Sequence, residues 1–136
     1  MCDPIGYTPS QARGAQTGLG GSAVDRGVKA EDSCAIEVTP WGKEMWLACT
    51  EEYHLKILEI EAGQVLGPRY HEDKMKTWVF LEGVCYFSCG DAHGEMLINK
   101  FGVYDIFPGE VHRLRAVTKM RILEVATPQR YDLVEL

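Results

Sequence analysis

The sequence has no excess of positive charge. Against 20 Asp and Glu stand 14 Lys and Arg, a formal net charge of -6. Nucleic-acid binding, which rests on neutralising backbone phosphates, therefore has no electrostatic support. No apolar run approaches the roughly 18 residues of a membrane span. The opening Met1-Cys2-Asp3-Pro4-Ile5-Gly6 has neither the basic start nor the apolar stretch of a secretory leader. Cys2, Cys34, Cys49, Cys85 and Cys89 make an odd set without a C-x-x-C pair. That argues against a disulfide scaffold and for reduced thiols in a cytoplasm. The glycine-rich stretch Thr17-Gly18-Leu19-Gly20-Gly21-Ser22 lacks the Gly-Lys-Ser/Thr ending and the preceding apolar strand of a phosphate loop. Nowhere does an i, i+3, i+4 apolar stripe persist long enough to require a long helix.

What remains is one modest domain, 136 residues at 46% hydrophobic content. Residues 1–33 are rich in Gly, Ala, Ser, Gln and Thr, without apolar period. They are expected to form a flexible arm, ordered only against a partner through Ile5, Tyr7 and Leu19. The division falls at residues 1–36 for the arm and 37–136 for the folded domain. From Glu37 onward, short apolar runs alternate with turn signals, the sign of an all-β domain. The strands predicted are 45–50, 53–62, 65–71, 77–82, 84–89, 96–99, 104–107, 112–117 and 120–126. Eight or nine short strands with Gly- and Pro-marked turns suit a jelly-roll barrel, although strand order alone also permits a sandwich.

Two segments narrow the choice. Residues 63–83 place Gly63, Arg69, His71, Lys76 and Gly83 at the spacings of the first cupin motif, G-x5-H-x-H-x3,4-E-x6-G. Residues 102–112 resemble the second motif, G-x5-P-x-G-x2-H, with Phe107 at the usual Pro position and one residue fewer after Gly102. The chain thus resembles the cupin superfamily. Pro40-Trp41-Gly42-Lys43-Glu44, Tyr53 to Leu58, the block Tyr70-His71 with Lys74 and Trp78-Val79, and Leu123 to Pro128 followed by Asp132-Leu133-Val134 bring it nearest to small phosphomannose isomerase-like sugar-metabolism cupins. This resemblance implies a single double-stranded β-helix barrel, commonly paired as a homodimer. It also implies that Arg69, His71, Lys76 and His112 converge inside the barrel.

The motif is altered where it matters. Arg69 stands in place of a His and Lys76 in place of the Glu, leaving His71 and His112 as the family's metal ligands. A guanidinium has no lone pair, and an ammonium repels a cation. No cofactor is therefore expected. A retained divalent metal would rest on His71 and His112, with Glu72 or Asp73 added. The same residues suit an anion: Arg69 and Lys76 bind carboxylate or phosphate, while Trp78, Phe80, Tyr86 and Leu114 wall the pocket. Neighbouring positive charge lowers the pKa of His71, His112 and Lys76. Neutral imidazoles would then be bases for aldose–ketose isomerisation or epimerisation, and Lys76 is a candidate for a Schiff base.

Structural alternatives stand beside these readings. Arg69 pairs with Glu82, Glu59 or Glu61; Lys76 points outward; His112 bonds only to backbone; His54 and His93 lie at the surface or in turns; Trp41 and Trp46 are core or interface. The functional expectation is a cupin binding a small anionic sugar-phosphate- or carboxylate-like ligand, with isomerase-like acid–base chemistry. The alternatives are a non-catalytic binding or assembly cupin whose arm docks a protein partner, and a residual metal-dependent enzyme.

Overall fold

The barrel was described from a computed structural model covering residues 27, 28, 30–90 and 94–136. The expected arm, residues 1–36, and His93 lie largely outside these residues. After a 3-10 turn at Glu31–Ser33, eleven strands follow: β1 (Ala35–Thr39), β2 (Gly42–Cys49), β3 (His54–Ile60), β4 (Val65–His71), β5 (Lys76–Glu82), β6 (Cys85–Cys89), β7 (Met96–Ile98), β8 (Gly102–Ile106), β9 (His112–Ala116), β10 (Met120–Ala126) and β11 (Leu133–Glu135). They form a six-stranded sheet, β1-β2-β3-β10-β5-β8, and a five-stranded sheet, β11-β4-β9-β6-β7. This is the expected all-β jelly-roll barrel. Two strands exceed the sequence reading, β1 and β11. Both are short edge strands whose apolar residues face solvent in part, so they leave little hydrophobic signal. No helix among the described residues is long and apolar enough to cross a membrane.

Alternation decides what the barrel encloses. Leu58, Ile60, Trp78, Phe80, Met120 and Ile122 from one sheet meet Leu66, Leu114, Phe87 and Cys85 from the other in a single apolar core. Opposite-face residues on β5, β6, β9 and β10 are half-buried or exposed, whereas on β3 Ile57 and Glu59 are buried on that face too. Two small clusters lie outside this core, Trp46 with Cys49 and Cys34 with Met45 and Ile57. Cys34, Cys85 and Cys89 are free, buried thiols; burial pushes Cys85 up to about 12 and Cys89 to about 11. As thiols they pack rather than react.

One irregularity aims the site. On β4 and β9, Leu66 faces Leu114, and the next pair is Arg69 with His112. Three steps on β4 thus match two on β9, an extra residue at Gly67-Pro68 that reverses the side-chain parity of β4. Leu66 points inward before the bulge and Arg69 and His71 point inward after it. Without the bulge, both would face solvent. Gly67 holds φ +89°, and a Cβ there would lie 2.4 Å from the His112 carbonyl oxygen. Gly67→Ala should therefore push β4 off β9 and lower stability by about 2–3 kcal/mol, read from the urea midpoint. An unchanged midpoint would mean that the bulge relaxes freely.

Candidate functional site at the barrel mouth

The inward faces of the strands turn polar at one end of the barrel. On β3 the sequence His54-Leu55-Lys56 precedes inward Leu58 and Ile60. On β5, Lys76 precedes Trp78 and Phe80. On antiparallel β10, Glu124 follows Met120 and Ile122. Register sets Lys56, Glu124 and Trp78 side by side on three adjacent strands. His54, Ala126, Lys76 and Ile106 form the next row outward. From the facing sheet, β4 and β9 add Arg69, His71 and His112.

Lys76 lies at the centre, its side chain 1% exposed. Its Nζ is 3.4 Å from Glu124 Oε1, 3.3 Å from His71 Nε2 and 5.0 Å from the Trp78 ring centroid. The outward alternative for Lys76 is thus ruled out by strand parity. Glu124 also accepts the Trp78 indole N–H at 2.8 Å and pairs through Oε2 with Lys56 Nζ at 3.5 Å. Lys56 in turn pairs with Glu44 and sits over the Trp46 ring. Burial alone would raise the Glu124 carboxyl, but Lys56, Lys76 and the indole hold it well below its usual range. Burial brings the Lys76 ammonium down to about 8, against the pull of Glu124.

His71 completes the line. Its Nδ1 donates to Asp132 Oδ1 at 2.9 Å, which leaves the Nε2 lone pair to accept from Lys76. Asp132 Oδ2 accepts the backbone N–H groups of Asp73 at 3.0 Å and Lys74 at 2.8 Å. The segment after β10 is thereby pinned to the β4–β5 turn. His112 donates from Nδ1 to the Glu110 carbonyl at 3.1 Å, so its backbone bond is real. Its buried Nε2 has no partner among the described residues, and its ring stacks 6.3 Å from that of His71. Burial, then the Lys76 charge, lowers His71 to about 4 and His112 to about 3. Both imidazoles are neutral at pH 7, in the direction that neighbouring positive charge implies.

The structure thus brings Arg69, His71, Lys76 and His112 together, and it revises the walls and partners. Trp78 and Phe80 are 0% and 2% exposed and pack against Phe87 in the aromatic core, inside the barrel rather than along an open cleft. Tyr86 is on the outer face of β6, between inward Cys85 and Phe87, with the Arg115 guanidinium 4.6 Å over its ring. Its place in the strand, alternate to the inward Cys85, Phe87 and Cys89, turns it away from the pocket. Arg69 pairs with Glu135 on β11 at 3.3 Å rather than with Glu59, Glu61 or Glu82, because β11 is its neighbour in the sheet. Trp41 and Trp46 are buried, as core positions. His54 is 1% exposed rather than superficial: it starts β3 on the inward face, its Nδ1 accepts from Lys74 Nζ at 3.2 Å, and burial lowers it to about 4.

Glu124, Lys56, Lys74, Asp132 and His54 belong to the site although the sequence reading gave none of them a place in it. A cleft of about 250 Å³ opens between the two sheets against this network, lined by Glu44, Trp46, His54, Lys56, His71, Lys74, Arg130, Tyr131 and Asp132 among others. His71 is the one motif residue on its wall. A divalent metal does not fit the interior donors: the Lys76 ammonium already occupies the lone pair of His71, and Glu72 and Asp73 lie in an exposed turn. Among the described residues no group of three or more His, Cys, Asp or Glu is arranged to hold an ion.

Residues 28–132 match the family described as Mannose-6-phosphate isomerase C-terminal. The chain belongs to that family. No curated protein matches the sequence. Solved structures with this fold include the capsular polysaccharide assembling protein CapF from Staphylococcus aureus, at 17% identity and a TM-score of 0.66 over 76% of this chain. This chain spans only 34% of the CapF chain. KdgF from Halomonas sp. is 15% identical with a TM-score of 0.66, covering 78% of this chain and 98% of its own. Ectoine synthase from P. lautus is 18% identical with a TM-score of 0.67, covering 80% and 88%. An RmlC-like cupin from Shewanella frigidimarina also matches, at 15% identity and a TM-score of 0.67 over 76% of this chain and 92% of its own. These likenesses show that the chain has the cupin fold, and at these identities they speak for fold alone.

Proposed function

We propose that this barrel binds a small anionic, sugar-like ligand at its mouth and moves a proton on it, in isomerase- or epimerase-like chemistry without a metal. The observation that carries the reading is a continuous line of contacts: Asp132–His71–Lys76–Glu124–Lys56–Glu44. Its outer members Asp132, His71, Lys56 and Glu44 all line the same cleft, while Lys76 and Glu124 close the line behind them. Moving a proton between adjacent carbons needs a base and an acid that face one substrate. His71 is neutral and oriented by Asp132 for the first role, which it takes up once substrate displaces the Lys76 ammonium from its Nε2 lone pair. His71 Nε2 then carries the abstracted proton and returns it to the adjacent carbon, while the Lys76 ammonium beside it stabilises the negative charge that develops on the substrate. His112 keeps a buried, unpaired Nε2 beside this pair and is the second candidate base.

The test is solvent-deuterium exchange into mannose 6-phosphate and glucuronate, followed by NMR. Wild-type protein should exchange the proton next to the carbonyl of one of them. His71→Ala should slow this by about 10²–10⁴, the usual contribution of a general base, without loss of binding. Binding without exchange by the wild type would leave a non-catalytic binding cupin. Full exchange by His71→Ala would remove His71 from the mechanism.

A further inference from the structure

Lys74 is not on a strand. It lies in the turn between β4 and β5, with its backbone N–H held by Asp132. Its side chain nevertheless runs inward and is buried, the residue being 6% exposed. The two other lysines of the mouth have carboxylates at ion-pair distance: half-buried Lys56 has Glu44 and Glu124, and buried Lys76 has Glu124. Lys74 has none within 4.0 Å among the described residues, and its close contact is the neutral His54 ring at 3.2 Å. An ammonium carries three N–H donors, and a buried charge without a counter-ion costs several kcal/mol. Burial lowers the Lys74 pKa, while Glu124, Asp132 and Glu44 pull it back up from a distance. The amine faces a cleft that also presents Arg130 and the exposed Tyr131.

Tyr131 holds a left-handed φ of 64°, a conformation that costs a residue other than Gly or Asn about 1 kcal/mol or more. It leaves the phenol ring at the rim of the cleft. The volume, about 250 Å³, equals that of about eight water molecules at ~30 Å³ each, room for one monosaccharide unit. Asp132 braces both the His71 ring and the Lys74 backbone. The distance between these two groups is thus set by one carboxylate.

From this we infer that Lys74 is the counter-ion for the carboxylate or phosphate of a monosaccharide-sized ligand seated in the cleft between Trp46 and Tyr131. This rests on the proposal that the ligand is a small sugar-like anion, and it assigns the anion's position and the ligand's size. The sugar carbon to be deprotonated then lies toward His71, and Tyr131 covers the ring from the solvent side.

Titration calorimetry on the full chain with mannose 6-phosphate, glucuronate, inorganic phosphate and uncharged mannose tests the assignment. Wild type should bind at least one of the two charged sugars and at least 10-fold less mannose. Lys74→Met should weaken the charged sugar at least 10-fold. Lys74→Arg should stay within a few-fold of wild type, as should Lys100→Ala at an exposed lysine. If Lys74→Met binds like wild type, the Lys74 assignment falls and the proposed function stands. If wild type binds none of the anions, both fall. Should Lys74→Met fail to fold, wild-type NMR decides: the Lys74 ε-methylene resonances must shift with the charged sugar and not with mannose. Preference between the two charged sugars distinguishes phosphate from carboxylate.

Discussion

Glu124→Leu will unfold or nearly unfold the barrel, whereas Glu124→Leu combined with Lys76→Met will recover much of the loss. Glu124 is fully enclosed and is the shared partner of Lys76, Lys56 and the Trp78 indole. Its removal leaves the Lys76 ammonium without a carboxylate and the indole N–H without an acceptor. Removing one member of a buried pair costs about 3–5 kcal/mol, because the remaining charge is uncompensated. That is a large part of the roughly 5–15 kcal/mol that holds a domain together. Replacing both members by apolar groups of similar shape is close to neutral, and Lys56 keeps Glu44 in the double variant. Urea midpoints measure all three proteins. A Glu124→Leu protein within about 1 kcal/mol of wild type would show that the pairing is not formed in solution.

The position of Glu124 was open to reading in the sequence, and the reason it went unread is instructive. Met120-Arg121-Ile122-Leu123-Glu124-Val125-Ala126 alternates with a period of two, and Glu124 falls on the face of Met120, Ile122 and Ala126. A carboxylate on the apolar face of a central strand needs a buried partner. The same test flags His54 and Lys56 ahead of Leu58 and Ile60, as well as Lys76 ahead of Trp78. All four sit at the same end of the barrel once the strands are laid antiparallel. Motif matching looks only at fixed offsets, so it found Arg69, His71, Lys76 and His112 and passed over their counter-charges. The strand set followed from alternation and turn residues almost entirely.

Other features were beyond sequence reasoning for a physical reason. The inward turn of Arg69 and His71 depends on the bulge at Gly67-Pro68, and a single extra residue changes which face is inside. The Asp132 brace depends on where the segment after β10 crosses the β4–β5 turn, a contact 61 residues from His71 in sequence. Tyr86 shows the converse error. The sequence reading put it on the pocket wall with Trp78 and Phe80, but its place between Cys85 and Phe87 puts it on the outer face. Parity was the better guide there.

Acid will destabilise this barrel well above the range in which carboxylates usually titrate. His54 and His71 are lowered to about 4 and His112 to about 3, from 6.5. Between those values and 6.5 the unfolded chain binds protons that the folded chain refuses. Stability therefore rises with pH across this window, is fully present above 6.5, and is lost as pH falls toward 4. A fall from 6.5 to about 4 corresponds to roughly 3 kcal/mol each for His54 and His71, and the fall of His112 to about 3 to somewhat more. The three do not add simply, because His71 and His112 stack and share the Lys76 field. Glu124 and Asp132, both held below their ordinary values, act in the same direction: their contribution is present above the unfolded carboxylate pKa and is lost below it. Lys76 acts at the other end. Its folded value of about 8 lies below the ordinary 10.5, so the unfolded chain holds the extra proton between those limits and stability climbs with pH there. Urea midpoints from pH 4.5 to 7.5 should thus fall steeply below 6.5, by the equivalent of several kcal/mol. His112→Gln, which cannot take up a proton, should flatten part of that slope. A midpoint constant from pH 7 to 4.5 would mean that these imidazoles are charged or solvated in the fold, and the neutral base assigned to His71 would go with it.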